Sequence, residues 1–489
     1  MDKDNNTPSD KSPDDDFDDE QPMDNSDGSD DSFGFDLSKM AGRPGMPNPD
    51  QLRQQMSQFM SPDGGLDLDK LVGGLRAAIG MSNSGADPTT GMNWPHVTSN
   101  TKKALASHGD DPPSPTPSTQ MLDAFNLANL WLDEATSFSG EALRLELWTR
   151  AHWVDATMSA WRSMVSPIVM HLGDALVELG QENLTAGADT APQLAGLSDV
   201  LAPMMRQTAS EFYSARLSTA LADLAAKTLS GTDAVLPLVA PPVVALLPLN
   251  IAAFTDGLVA PATDTGVYLL MRESARQRLF AATPWLGPQI LALIEHYARE
   301  ISIDPSSLRF GLDIDNIEDL TPQTLVEMSS KVQDRLFRPA TSPDQQAILA
   351  RLETLISLVE GWVDTVVNQA AGPWLASATA LAETMQRRRA AQGPTEGVLT
   401  SLVGLKLCSR RVRDAANLWA YLGHQRGTRD RDALWHHPDM MPQVDDLDDV
   451  IGFVARTGDD ATPDAIDAQL NWLVDQWRRD ASGSDDPKS

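Results

Sequence analysis

The chain has 489 residues, 41% of them hydrophobic, and a formal net charge of −31. That length buries a sizeable core in one large or two ordinary domains. The acidity repels phosphate backbones and anionic lipid, and so argues against nucleic-acid and membrane-surface roles.

Residues 1–36 hold 14 acidic and 2 basic residues, a net −12. Such a segment cannot bury enough apolar surface to offset chain entropy, so residues 1–45 read as a disordered acidic tail. No apolar leader is visible at the N-terminus, and the one cysteine, Cys408, cannot close an internal disulfide. Both point to a cytoplasmic protein. Residues 46–80 read as two short amphipathic helices. Leu52, Met56, Phe59 and Met60 share one face in the first, and Leu68, Leu71, Val72, Leu75 and Ile79 in the second. Residues 81–118 are rich in Ser, Thr, Pro and Gly and read as a linker or long surface loop.

From Thr119 to about residue 480 the helical period dominates. Met121, Phe125, Ala128 and Leu132 set one apolar stripe, and Ile290, Ile294, Tyr297 and Ile301 repeat its spacing. Trp131, Trp148, Trp153 and Trp161 recur along two adjacent helical segments as packing residues. The stretch "LPLVAPPVVALLPL" (236–249) is too short and too proline-rich to span a bilayer. A later helix has strong start signals: Ser342 as cap, Pro343 in the first turn and Gln345 completing a capping box. Its apolar face runs Ile348, Leu352, Leu355, Ile356, Val359, Val363 and Val366. The best strand candidate is "SLRFGLDID" (307–315). The expected fold is mainly α, a multi-helix domain with few short strands.

The stretch "LLMRESARQRLFAATPWL" (269–286) carries the sharpest chemical question. Glu273 stands one residue after Arg272 and three before Arg276. A zinc-hydrolase helix places two imidazoles at i and i+4, with a glutamate beside the first to activate the bound water. Guanidinium has no lone pair for a metal. From spacing alone these three residues read as the polar side of an ordinary helix.

Several collinear stretches, among them "LADLAAKTLSGTDAVLPL", "YLLMRESARQRLFAATPWLGPQILALIEHYAREI" and "ARLETLISLVEGWVDTVV", resemble the zincin-like metallopeptidase type 2 family over about residues 120–460. The resemblance implies a zincin-like fold, a zinc-dependent peptidase or hydrolase ancestry, and a bound zinc. In the branch with an intact motif the helix reads HExxH, with a further ligand position in a later "EGH". Matched here, those ligand positions hold Arg272, Arg276 and Trp362, and the general-base position holds Glu273. No cofactor is therefore expected, and a non-catalytic binding or scaffold protein with a protein or peptide partner is the leading expectation. A metal-dependent hydrolase with other ligands is the alternative, drawing on Glu273, Glu360, Asp364 or His296. If the family's ligand geometry holds, Glu360 and Asp364 face Arg272 and Arg276, and guanidinium charge stands in for the metal.

The remaining candidates are weaker. His436, His437 and Asp439 read as a loop. Arg387, Arg388 and Arg389 read as a solvated helix end, or as a basic island receptive to an acidic partner. G-x-S-x-G, Walker A and G-x-G-x-x-G motifs are missing from the sequence.

Overall fold

The chain divides into two units, Met1–Ala77 and Ala78–Ser489. In the computed structural model, residues 86–107, 109, 116–188, 198–301, 342–391 and 411–457 are described, all in the second unit. The acidic tail, the two short N-terminal helices, the strand candidate at 307–315 and Cys408 lie outside the described residues.

The first described helix corrects the sequence reading. α1 (Trp94–Ala106) forms within the stretch expected to be a linker. Asn93 caps it by accepting from the His96 N–H at 3.0 Å, and Trp94, Val97, Thr101 and Leu105 are buried on one face. The Ser/Thr/Pro average over 81–118 hid this stripe, whose 3- and 4-residue steps are enough to anchor a helix.

α2 (Thr119–Ala135) is capped by the Ser118 hydroxyl and buries Phe125, Ala128, Leu132 and Ala135. β1 (Arg144–Leu147) pairs in parallel with β2 (Val243–Leu246), with Leu145 opposite Val244. Parallel strands cannot be joined by a tight hairpin. The crossover here contains α3 (Arg150–Ala188) and α4 (Ser198–Ala225). β2 lies within the apolar stretch 236–249, where Val244, Ala245 and Leu246 are buried. Leu229–Gly231 runs antiparallel beside it: the Gly231 N–H donates to Ala245 O and the Leu247 N–H to Leu229 O, both at 3.0 Å.

The rest is helical: α5 (Pro248–Thr255), α6 (Ala262–Ala282), α7 (Leu286–Arg299), α8 (Pro343–Ala371), α9 (Ala378–Ala390), α10 (Val412–Arg426), α11 (Thr428–Ala433) and, after three 3-10 turns, α12 (Val450–Arg456). α8 starts where the sequence places it, with the reciprocal Ser342–Gln345 capping box formed, and all seven residues of its expected apolar face are buried. Gly361 lets α10 come close to α8, since a Cβ there would lie 2.7 Å from both Ala415 Cβ and Ala416 N.

α6 is the central element, packed by α2, α8, α9 and β2. Every residue from Tyr268 to Phe280 is buried. A helix enclosed on all sides is normally apolar throughout, yet this one carries Arg272, Glu273, Arg276, Gln277 and Arg278 into the interior. Arg278 ties it to α2 by donating to Asp133 Oδ1 at 2.7 Å and to Asn129 O at 3.0 Å. Among the described residues, no helix is long and apolar enough to cross a membrane.

Candidate functional site

Arg272 and Arg276 are each 1% exposed, not on the solvated polar face expected from their spacing. One helical turn apart on α6, they face Glu360 and Asp364, one turn apart on α8. Arg272 Nη1 donates to Asp364 Oδ1 at 2.6 Å, and its Nη2 pairs with Glu360 Oε1. Arg276 Nη2 lies 3.2 Å from both Glu360 oxygens. A third guanidinium comes from α9: Arg389 Nη1 donates to Glu360 Oε1 at 2.8 Å and its Nη2 to Asp364 Oδ2 at 2.5 Å. Three cations thus enclose two carboxylates. Burial works to raise the Glu360 pKa, but Arg272, Arg276 and Arg389 outweigh it and hold the carboxyl well below its usual range.

Glu273 faces a different wall. Its Oε2 accepts from Ser230 Oγ at 2.7 Å, its Oε1 from the Thr232 N–H at 3.2 Å, and both oxygens lie 2.9 Å from Thr232 Oγ1. Gln277 Nε2 donates to Oε1 at 3.2 Å, and Arg276 Nη1 stands 3.5 Å from Oε2. Gly231 leaves the room, since a Cβ there would sit 3.3 Å from Glu273 Oε1. Here burial prevails over Arg276 and the hydrogen-bond donors, and the pKa goes up. The donors come from the strand-like segment beside β2, more than 40 residues away in sequence. They lie in "KTLSGTD" (227–233), a mostly polar stretch whose composition does not set it apart from a surface loop.

Trp362 does not join the cluster. Two residues on a helix diverge by about 200°, so Glu360 turned toward α6 sends residue 362 to the other flank of α8. There its indole N–H donates to Asp432 Oδ1 at 2.9 Å and its ring packs on Phe138. Asp432 also accepts from Thr136 Oγ1, the Ser137 N–H and Arg431 Nε. Its carboxylate joins α8, α11 and the end of α2. The α8 side chains that face 272 and 276 are Glu360 and Asp364, while Trp362 packs on the other flank.

His296 is exposed on α7, apart from the buried charges. His437 is exposed between two 3-10 turns, and the Asp439 N–H in the second donates to His437 Nδ1. The arginine run at the end of α9 divides: Arg387 is solvated, whereas Arg389 enters the cluster and Arg388 Nη2 donates to the buried Asp233 Oδ2 at 2.7 Å. Burial works to raise the Asp233 carboxyl, but Arg388, with Arg276 and the Leu229 N–H, more than offsets it, and the pKa is lowered.

The donor set can be tested against zinc. Zinc takes neutral imidazole nitrogen, thiolate sulfur or carboxylate oxygen. Positions 272 and 276 offer guanidiniums, and the carboxylates opposite them are engaged by three arginines. Among the described residues, no three His, Cys, Asp or Glu side chains are grouped to hold a metal ion. These residues do not fit the zinc centre that the resemblance implies.

Residues 92–454 match the model of a family described as zincin-like metallopeptidase. No curated protein matches the chain significantly. In fold the chain is similar to a crystal structure from Chloroflexus aurantiacus, provisionally described as a hydrolase with a novel fold. The likeness covers 75% of this chain and 98% of that one, at 16% identity and a TM-score of 0.50.

Proposed function

The chain belongs to the zincin-like metallopeptidase family, and on that premise we propose that it is a non-catalytic member, a cytoplasmic binding or scaffold protein. In this reading the metal centre has been exchanged for a buried arginine–carboxylate cluster. The partner is a protein or peptide, since a net charge of −31 disfavours nucleic acid and anionic membrane. The observation that carries the reading is the pairing of Arg272 and Arg276 with Glu360 and Asp364. Breaking a buried pair by removing one partner leaves an uncompensated charge and costs about 3–5 kcal/mol. Opening this cluster to admit a cation would add a positive charge to three already present.

The alternative, a hydrolase with non-standard metal ligands, draws on Glu273, Glu360, Asp364 and His296. Its difficulty is geometric. His296 is on the exposed side of α7, Glu273 is enclosed by Ser230 and Thr232, and the other two carboxylates are engaged by guanidiniums.

Metal analysis by mass spectrometry decides between them. The full chain is purified without chelator, then soaked in zinc and desalted. The expected result is far less than one zinc per chain in both preparations. A tightly held metal near one per chain would establish the alternative.

A further inference from the structure

Going beyond that reading, the outer face of α2 has the composition of an interface. Phe125, Ala128 and Leu132 point inward and are buried. On the opposite side, Asp123, Leu127, Leu130 and Glu134 follow one another at helical spacing, and all four are exposed. Leu127 is 40% exposed and Leu130 60%. Beside them, Trp374 stacks on Trp131 at a centroid distance of 6.2 Å while remaining 59% exposed. α2 contains no lysine or arginine. The stripe therefore has an apolar centre, a tryptophan flank, and one acid at each end. The acids lie 11 residues apart, or about 16 Å along the axis.

Exposed large apolar groups that adjoin one another mark contact surfaces more often than single exposed leucines do, and tryptophan is enriched where binding energy concentrates. We propose that this face docks an amphipathic helix of a partner protein. That helix presents two apolar residues about one turn apart, with a lysine or arginine beyond each end to meet Asp123 and Glu134. A second copy of this chain is a poor occupant, because it would set acid against acid with no base on either face.

The test uses the full chain and a fluorescein-labelled amphipathic 18-residue peptide, with a leucine face flanked by lysines. Its counterpart carries glutamate for lysine. Anisotropy titration is expected to show saturable binding of the lysine peptide, at least tenfold tighter than the glutamate peptide. Leu130→Asp and Trp374→Ser should each weaken it at least tenfold. The first adds negative charge, so mere attraction to an acidic protein would be unchanged or stronger. Asp123→Lys combined with Glu134→Lys should reverse the preference between the two peptides. These side chains are exposed, and circular dichroism checks that the variants fold. Three outcomes would overturn the proposal: no saturable binding, equal binding by Leu130→Asp, or self-association of the chain that Leu130→Asp abolishes. None depends on whether the arginine cluster holds a metal, so the two proposals fail separately.

Discussion

Glu273 and Glu360 are both buried glutamates, and their surroundings pull them in opposite directions. Burial raises either carboxyl, but around Glu360 three guanidiniums reverse it, whereas around Glu273 burial wins. Ionised Glu360 therefore stabilises the fold above the ordinary value of 4.5, and that contribution fades as pH falls below it. Glu273 has the opposite sign: the folded chain holds its proton more tightly than the unfolded one, so its contribution declines as pH rises above 4.5. At pH 7, Glu360→Gln should cost about 3–5 kcal/mol, leaving three cations with one carboxylate. Glu273→Gln should cost about 1–3 kcal/mol, the scale of a buried hydrogen-bond mismatch. Urea unfolding at pH 7 and pH 4 measures both, and the gap should narrow at the lower pH. Equal losses at pH 7 would contradict the assignment. Arg272→Ala should likewise cost about 3 kcal/mol or more, against about 0.5 kcal/mol or less for the solvated Arg387→Ala. The i, i+4 spacings of 272/276 and 360/364 were legible in the sequence, and so was their possible meeting. Arg389 was not, because an arginine run in an acidic chain looks solvated until its helix is placed.

At the scale of elements, what was legible followed the strength of local signals. α8 announces itself by Ser342, Pro343 and Gln345, and its apolar face has the length to fix which side packs. α6 is legible as a helix but not as a buried one, because its burial comes from neighbours on every side and its polar residues are matched by partners on other elements. α1 was hidden by the composition of the residues around it. The two short strands give little signal: β1 alternates over only four residues, Arg144–Leu147, and β2 is buried within a continuous apolar run. Close packing of α8 on α10 gives a prediction with an unusual sign. Replacing a mid-helix glycine by alanine ordinarily stabilises by about 1 kcal/mol. At Gly361 the added methyl would meet the α10 backbone at 2.7 Å, and backbone cannot step aside as a side-chain end can. Gly361→Ala should instead destabilise by about 1–3 kcal/mol. A stabilised variant in denaturant unfolding would show that α8 and α10 are not held at this distance.

For the whole molecule, the frame and the charge chemistry inside it are separable. The family match spans residues 92–454, and the similar crystal structure is covered over 98% of its length at 16% identity. Such a frame rests on apolar faces and close helix contacts, while function resides in the few side chains set within it. The wall facing α6 still presents carboxylates, Glu360 and Asp364, to positions 272 and 276. Arg272→His combined with Arg276→His would set two imidazoles one turn apart before a carboxylate, a donor set that zinc accepts. Without metal this double variant should be less stable than the parent, because two cations are lost from around two buried anions. Zinc should then restore part of the loss, by about 2.7 kcal/mol at a concentration 100 times its dissociation constant. Restoration stays partial because Arg389 keeps its hold on Glu360. The parent chain should unfold at the same temperature with and without zinc, and magnesium should move neither protein. Thermal unfolding of both chains, with each metal and with none, measures this. A double variant indifferent to zinc would mean that Glu360 does not share a point with residues 272 and 276. A parent stabilised as much as the variant would mean that the metal binds elsewhere.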